Sequence, residues 1–197
     1  MSEQRKGRFM LVMLVLVFAL PVLGVVILHS ADWRPGGKSH GELMQPSRAL
    51  DFPLLNTAGN KPFTAPDWHR KWHMVYITAA TCDQNCRDAL HTMRQLHASL
   101  AKEIDRIERV WLIAGAVPTD QVSQLRQVQR DYPDLIVLPD AAALTTQFNL
   151  SHSQAASGER VYLVDPMGHL MMSYPRGADP YGMRKDLVRV LTYSWTG

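Results

Sequence analysis

The chain has 197 residues, 46% of them hydrophobic and 20% charged, with twelve glycines and twelve prolines dispersed along it. This composition is that of an ordinary globular protein and excludes collagen-like, disordered and coiled-coil chains. The formal net charge of +3 is concentrated at the start, since setting aside Arg5, Lys6, Arg8 and Glu3 leaves 18 basic against 17 acidic residues; so balanced a remainder has no basic footprint for a phosphate backbone, and no nucleic-acid partner is expected.

Phe9 to Leu28 forms the first element, twenty consecutive residues with no charge and no strongly polar side chain. At ~1.5 Å per residue they span ~30 Å as a helix, the thickness of a bilayer's hydrocarbon core. The rival reading is a cleaved signal peptide, whose apolar region runs about 7–15 residues and ends at small residues spaced A-x-A. His29-Ser30-Ala31 puts histidine where a small residue should stand, which favours an uncleaved anchor in contact with membrane lipid. The basic cluster before the span keeps the tail inside by the positive-inside rule. The expected organisation is therefore a cytoplasmic tail over 1–8, a transmembrane signal anchor over 9–28, a linker over 29–47 and a folded domain over 48–197. It corresponds to a single-pass protein of the inner (cytoplasmic) membrane with its domain on the periplasmic, outer side.

Asp51 to Phe63 alternates short apolar runs around Ala58-Gly59-Asn60, the pattern of a small hairpin. Met74 to Thr78 reads as a buried strand, followed by Thr81-Cys82-Asp83-Gln84-Asn85-Cys86 and then by a helix from Arg87 to about Lys102–Asp105 with Leu90, Met93, Leu96, Leu100 and Ile104 on one stripe. A strand over Val110–Ile113, a polar helix from Thr119, a strand over Leu135–Leu138 and a short helix from Asp140 to Phe148 come next. Strands at Val161–Val164 and Leu170–Tyr174 flank the turn Asp165-Pro166-Met167-Gly168, and a last helix covers Asp179 to about Tyr193. Alternating β and α units that end in a tight hairpin and a helix predict an α/β domain, a mixed sheet flanked by helices. The thioredoxin-like fold is the economical solution.

The only two cysteines, Cys82 and Cys86, stand four apart where a strand gives way to a helix. On a first helical turn such a pair lies on one face within disulfide range. As thiols the two can cycle to a disulfide, with the helix N-terminus favouring the thiolate of Cys82, taken as the more exposed. As thiolates they are soft ligands for Cu(I). A fixed structural disulfide, suited to an exported domain, and two inert thiols are the competing readings. Asp83 and Asp88 oppose a thiolate there, and Arg87 favours one.

Met74-Val-Tyr-Ile-Thr78 with Thr81-Cys82-x-x-x-Cys86, the upstream Phe52-x-Leu54-x-Asn56-x-x-Gly59, and Val161-Tyr-Leu-Val-Asp165-Pro-x-Gly168 together resemble the Sco/SenC family over roughly residues 48–192. These are membrane-anchored thioredoxin-like proteins of cytochrome c oxidase assembly. The resemblance implies delivery of copper to the oxidase's binuclear copper centre or reduction of its cysteines, with a respiratory oxidase subunit or its assembly factors as partners. It also implies a copper site of two cysteines and a histidine eight residues before the Asp-Pro turn. That position is Ser157, and Asp83-Gln84-Asn85 and Arg87 replace the family's usual residues around the cysteines, so only Cys82 and Cys86 carry over. Loss of the third ligand tilts the expectation from copper toward dithiol chemistry. A general envelope thiol–disulfide oxidoreductase, or a non-catalytic docking domain with a fixed disulfide, are the alternatives.

His152, in the stretch Ser151–Gly158, is the candidate replacement for the missing metal ligand, weighed against a solvent-facing loop histidine. His69 and His73 bracket the first strand, where a four-residue spacing does not make a ligand face. His91 and His97 read as solvated positions on the long helix. Met171-Met172 alternates across a strand and is expected to fill the core rather than bind copper. No phosphate loop, nucleophile elbow or zinc-spaced cysteine cluster is found.

Overall fold

A computed structural model describes residues 3–30, 39–79 and 82–194; Thr81 and residues 31–38 of the expected linker lie outside them. Helix α1 (Glu3–Ser30) forms one unit and residues from Ser39 onward form another. Within α1, Gly7–Ile27 is long and apolar enough to cross a membrane, and its large apolar side chains from Phe9 to Ile27 are exposed. The helix extends on both sides of the expected span.

The second unit is built on a six-stranded sheet: β1 (Glu42–Ala49), β4 (Trp72–Thr78), β5 (Ile107–Ile113), β6 (Leu135–Leu138), β7 (Ser157–Val164) and β8 (His169–Pro175), in the order β1-β8-β7-β4-β5-β6. Strands β4, β5 and β6 are parallel, while β7, β8 and β1 run antiparallel to their neighbours. A separate hairpin pairs β2 (Leu55–Asn56) with β3 (Pro62–Phe63), as expected. The helices are α2 (Ala65–Trp68), α3 (Gln84–Ser99), α4 (Val122–Asp131), α5 (Ala142–Thr146) and α6 (Pro180–Tyr193). This is the mixed α/β, thioredoxin-like architecture anticipated from the element order.

Strands β4 and β5 are mainly apolar because both sheet faces are covered. Trp72, Met74 and Tyr76 of β4 and Ile107, Trp111 and Ile113 of β5 pack with Leu90, Met93 and Leu96 of α3 and Met183, Leu187 and Leu191 of α6. The alternate residues Val75, Ile77, Val110 and Leu112 join Trp68, Leu144, Phe148 and Tyr162 on the opposite face. Each fully buried Val, Leu or Ile contributes about 1.5–3 kcal/mol of transfer free energy.

Three expectations need correction. The linker expected over 29–47 overlaps Glu42–Ala49, which is an edge strand paired with β8. Its polar composition conceals it, because an edge strand exposed on both faces needs no apolar alternation, and Pro46 is tolerated where no neighbouring strand requires its missing N–H. The segment before it is also held: buried Asp186 on α6 accepts from the backbone N–H of His40 at 2.7 Å and of Gly41 at 3.2 Å, while the Tyr174 hydroxyl donates to it at 3.4 Å. The expected helix Arg87–Asp105 is shorter at its C-terminal end and starts earlier, stopping at Ser99 before a 3₁₀ turn over Ala101–Arg106. His97, expected in solvent, caps that turn, its Nε2 lying 3.1 Å from the Ile104 carbonyl and 2.9 Å from that of Ile107.

Candidate functional site

The site lies beyond the C-terminal end of β4, where the chain passes into α3. Asp83 ends the loop as the N-cap of α3, its carboxylate accepting from the Cys86 N–H at 2.9 Å. This cap fixes the first turn and so sets Cys86 under Cys82. The Cα atoms are 5.0 Å apart and the sulfurs are joined in a disulfide. Cys82 is 2% exposed and Cys86 fully buried. Both residues are thus buried, with Cys82 marginally the more exposed, and side chains of β5 and α4 line its surroundings.

Two donors converge on the Cys82 carbonyl oxygen, Arg87 Nη1 at 3.1 Å and Gln124 Nε2 of α4 at 2.6 Å. Arg87 also bonds Gln84 Oε1, and Asp88 accepts from Gln84 Nε2 at 2.8 Å. The charged groups expected to act on the thiolate are thus engaged with the helix start itself. Cys82 lines a small void of about 10 Å³ together with Trp111, Ile113, Val117, Gln121, Gln124 and Leu125. Gln121 is one of these lining residues, and its Oε1 atom is buried without a hydrogen-bond partner among the described residues. The two glutamines were not singled out from the sequence, since glutamines on an amphipathic helix read as its solvent face.

Across the sheet, Ser157 pairs with Thr78, the last residue of β4. The position eight residues before Asp165 therefore lies beside the strand end that leads to the cysteines, and it carries a hydroxyl bonded to the Gln154 carbonyl at 2.7 Å. Gly158 follows with φ +71°, its carbonyl accepting from the Tyr76 hydroxyl at 3.0 Å. Burial, reinforced by Asp83, pushes the Tyr76 hydroxyl up to about 12, so it stays a donor.

His152 is an exposed loop side chain. Its Nε2 lies 3.3 Å from Glu42 on β1, the same carboxylate that receives Arg160. His73 is fully buried at the opposite end of β4 from the cysteines, 3.5 Å from Glu108 and packed on Trp68. His69 lies edge-on to Phe52. His91 is exposed beside Gln95, and Met172 is buried in the core. Among the described residues no three His, Cys, Asp or Glu side chains are grouped to hold a metal ion.

The family described as transmembrane-like, thioredoxin-like, C-terminal domain matches residues 72–194, from the start of β4 to the end of α6. The chain belongs to this family. Its fold is also that of Sco proteins: copper-bound Sco1 of yeast superposes with a TM-score of 0.61 at 16% identity, covering 81% of this chain and 96% of that one. Copper-bound ScoI of Arabidopsis thaliana gives 0.60 at 16%, covering 74% and 99%. BsSco, a Sco-family cytochrome c oxidase assembly protein with a disulfide switch, gives 0.58 at 14%, covering 75% and 96%. No curated protein matches the chain in sequence.

Proposed function

We propose that the protein is a membrane-anchored, Sco-type thiol–disulfide protein acting in assembly of a respiratory cytochrome c oxidase, with Cys82 and Cys86 as its working pair. The observation that carries this reading is the disulfide set across the first turn of α3, immediately beyond the central strand β4, on the fold shared with proteins of that assembly process. A four-residue bridge closes too short a loop to add much chain-entropy stabilisation, which favours a chemical role over a structural one. Copper enters as cargo. The reduced pair would offer Cu(I) two soft sulfurs, while Ser157 supplies no imidazole. Helix α1 would anchor the chain, with the folded unit on the periplasmic side.

In the exchange, a partner thiolate attacks one sulfur, the Cys82–Cys86 bond breaks, and a mixed disulfide forms with the other cysteine released as a thiolate. The reverse sequence reduces a partner disulfide. Cys82 at the loop side is assigned as the attacking residue and Cys86 as the resolving one. Cys86→Ser should then trap partners through Cys82, separable by reducing and non-reducing electrophoresis. Trapping through Cys86 in Cys82→Ser instead would reverse the assignment, and no trapping in either variant would leave a fixed disulfide in a docking domain.

A further inference from the structure

We infer that Gln121 sets the redox poise of the cysteine pair, its amide oxygen accepting a hydrogen bond from the thiol that Cys82 becomes on reduction. The inference rests on the thiol–disulfide reading and goes beyond it by naming a residue from α4's approach that acts on the sulfur.

Gln121 closes the short 3₁₀ turn Thr119–Gln121 and leads into α4, where Gln124 follows three residues later on the same side. Their roles differ. Gln124 donates to the Cys82 carbonyl, a backbone bond available whether the sulfurs are joined or free. Gln121 and Cys82 line the same void of about 10 Å³, otherwise walled by apolar side chains and Gln124, and Gln121 Oε1 has no partner among the described residues while the disulfide is closed. A disulfide sulfur has no hydrogen to give. A buried acceptor left unmatched destabilises the state that contains it, here the oxidised one.

Reduction changes the count of donors. Two electrons and two protons pass from a dithiol reductant to the protein, the Cys82–Cys86 bond breaks, each sulfur takes one hydrogen, and the reductant closes to its own disulfide. The new Cys82 S–H is a donor in a residue that lines the same void as Gln121. Gln121 thus favours the dithiol and makes the pair more oxidising than its apolar surroundings alone would.

The test is the equilibrium constant for reduction of the full-length chain in detergent by dithiothreitol. Gln121→Leu should lower it about three- to tenfold, the effect of one net hydrogen bond, equivalent to roughly 15–30 mV for a two-electron couple. Gln121→Glu, which keeps an acceptor oxygen, should hold it at or above the wild-type value. Gln124→Ala, whose lost bond exists in both states, should leave it within about twofold. Equal constants for wild type and Gln121→Leu, a fall in Gln121→Glu matching that in Gln121→Leu, or an equal fall in Gln124→Ala would each overturn the inference. Failure of the parent reading registers separately, as absence of trapped partners in the cysteine variants.

Discussion

Ser157 stands directly opposite Thr78 in the β4–β7 register, four residues ahead of Cys82, so the hydroxyl occupies the strand position from which an imidazole could reach the cysteine loop. The reduced wild-type protein should accept Cu(I) on two sulfurs yet form no stable Cu(II)–thiolate complex, since Cu(II) favours added nitrogen ligands and oxidises an unsupported thiolate pair. Ser157→His should gain an intense thiolate charge-transfer absorption with Cu(II). His152→Ala should leave copper binding unchanged, because that ring is held by Glu42. Loss of a wild-type absorption in His152→Ala would make the loop histidine a ligand.

Asp186 accepts from two backbone N–H groups at residues 40 and 41 and from Tyr174. Asp186→Ala should cost about 1–3 kcal/mol by leaving the buried Tyr174 hydroxyl and two partly buried N–H groups unmatched. Urea unfolding of the full chain in detergent would measure it, with earlier proteolysis near residue 40 as a local readout. Unchanged stability would contradict the clamp.

Glu108 is held down at about 2, first by His73, whose ring nitrogen lies 3.5 Å away, then by its hydrogen bond from Lys71. A carboxylate whose folded pKa is depressed stabilises the fold above its ordinary value and loses that contribution as pH falls through the folded one. Stability should therefore decline between about pH 4.5 and pH 2 by on the order of 2 kcal/mol from this group. Glu108→Gln should flatten that part of the profile. An identical acid slope in the variant would reject the assignment.

If α1 anchors the chain, full-length protein should stay with membranes through alkaline washing, and protease added to the outer side should degrade the folded unit. A soluble product beginning near residue 30 would show cleavage instead.

The central sheet was legible because β4, β5 and β6 are apolar runs between turn signals, and the cysteine pair because its spacing coincides with the start of α3. β1 was not, since Glu42-Leu-Met-Gln-Pro-Ser-Arg-Ala has neither alternation nor β-branched residues, and only its pairing with β8 makes it a strand. Nor were the surroundings of Cys82. The contact of Gln124 with a carbonyl 42 residues away follows from the packing of α4 over β5, a tertiary fact without local sequence signature. The partner of His97, a 3₁₀ turn, lacks a local sequence signature for the same reason.

The pairing of β1 with β8 also orders events during synthesis. Residues 42–49 leave the ribosome more than a hundred residues before their partners at 169–175, and His40 waits as long for Asp186. Closing so distant a pair carries the entropy of a long loop, and such non-local pairing slows folding. The first strand must therefore remain unpaired until nearly the whole domain has emerged, and an unpaired strand is prone to aggregate. Its polar, proline-broken sequence is then protective in the nascent chain, for the same reasons that it failed to announce itself as a strand.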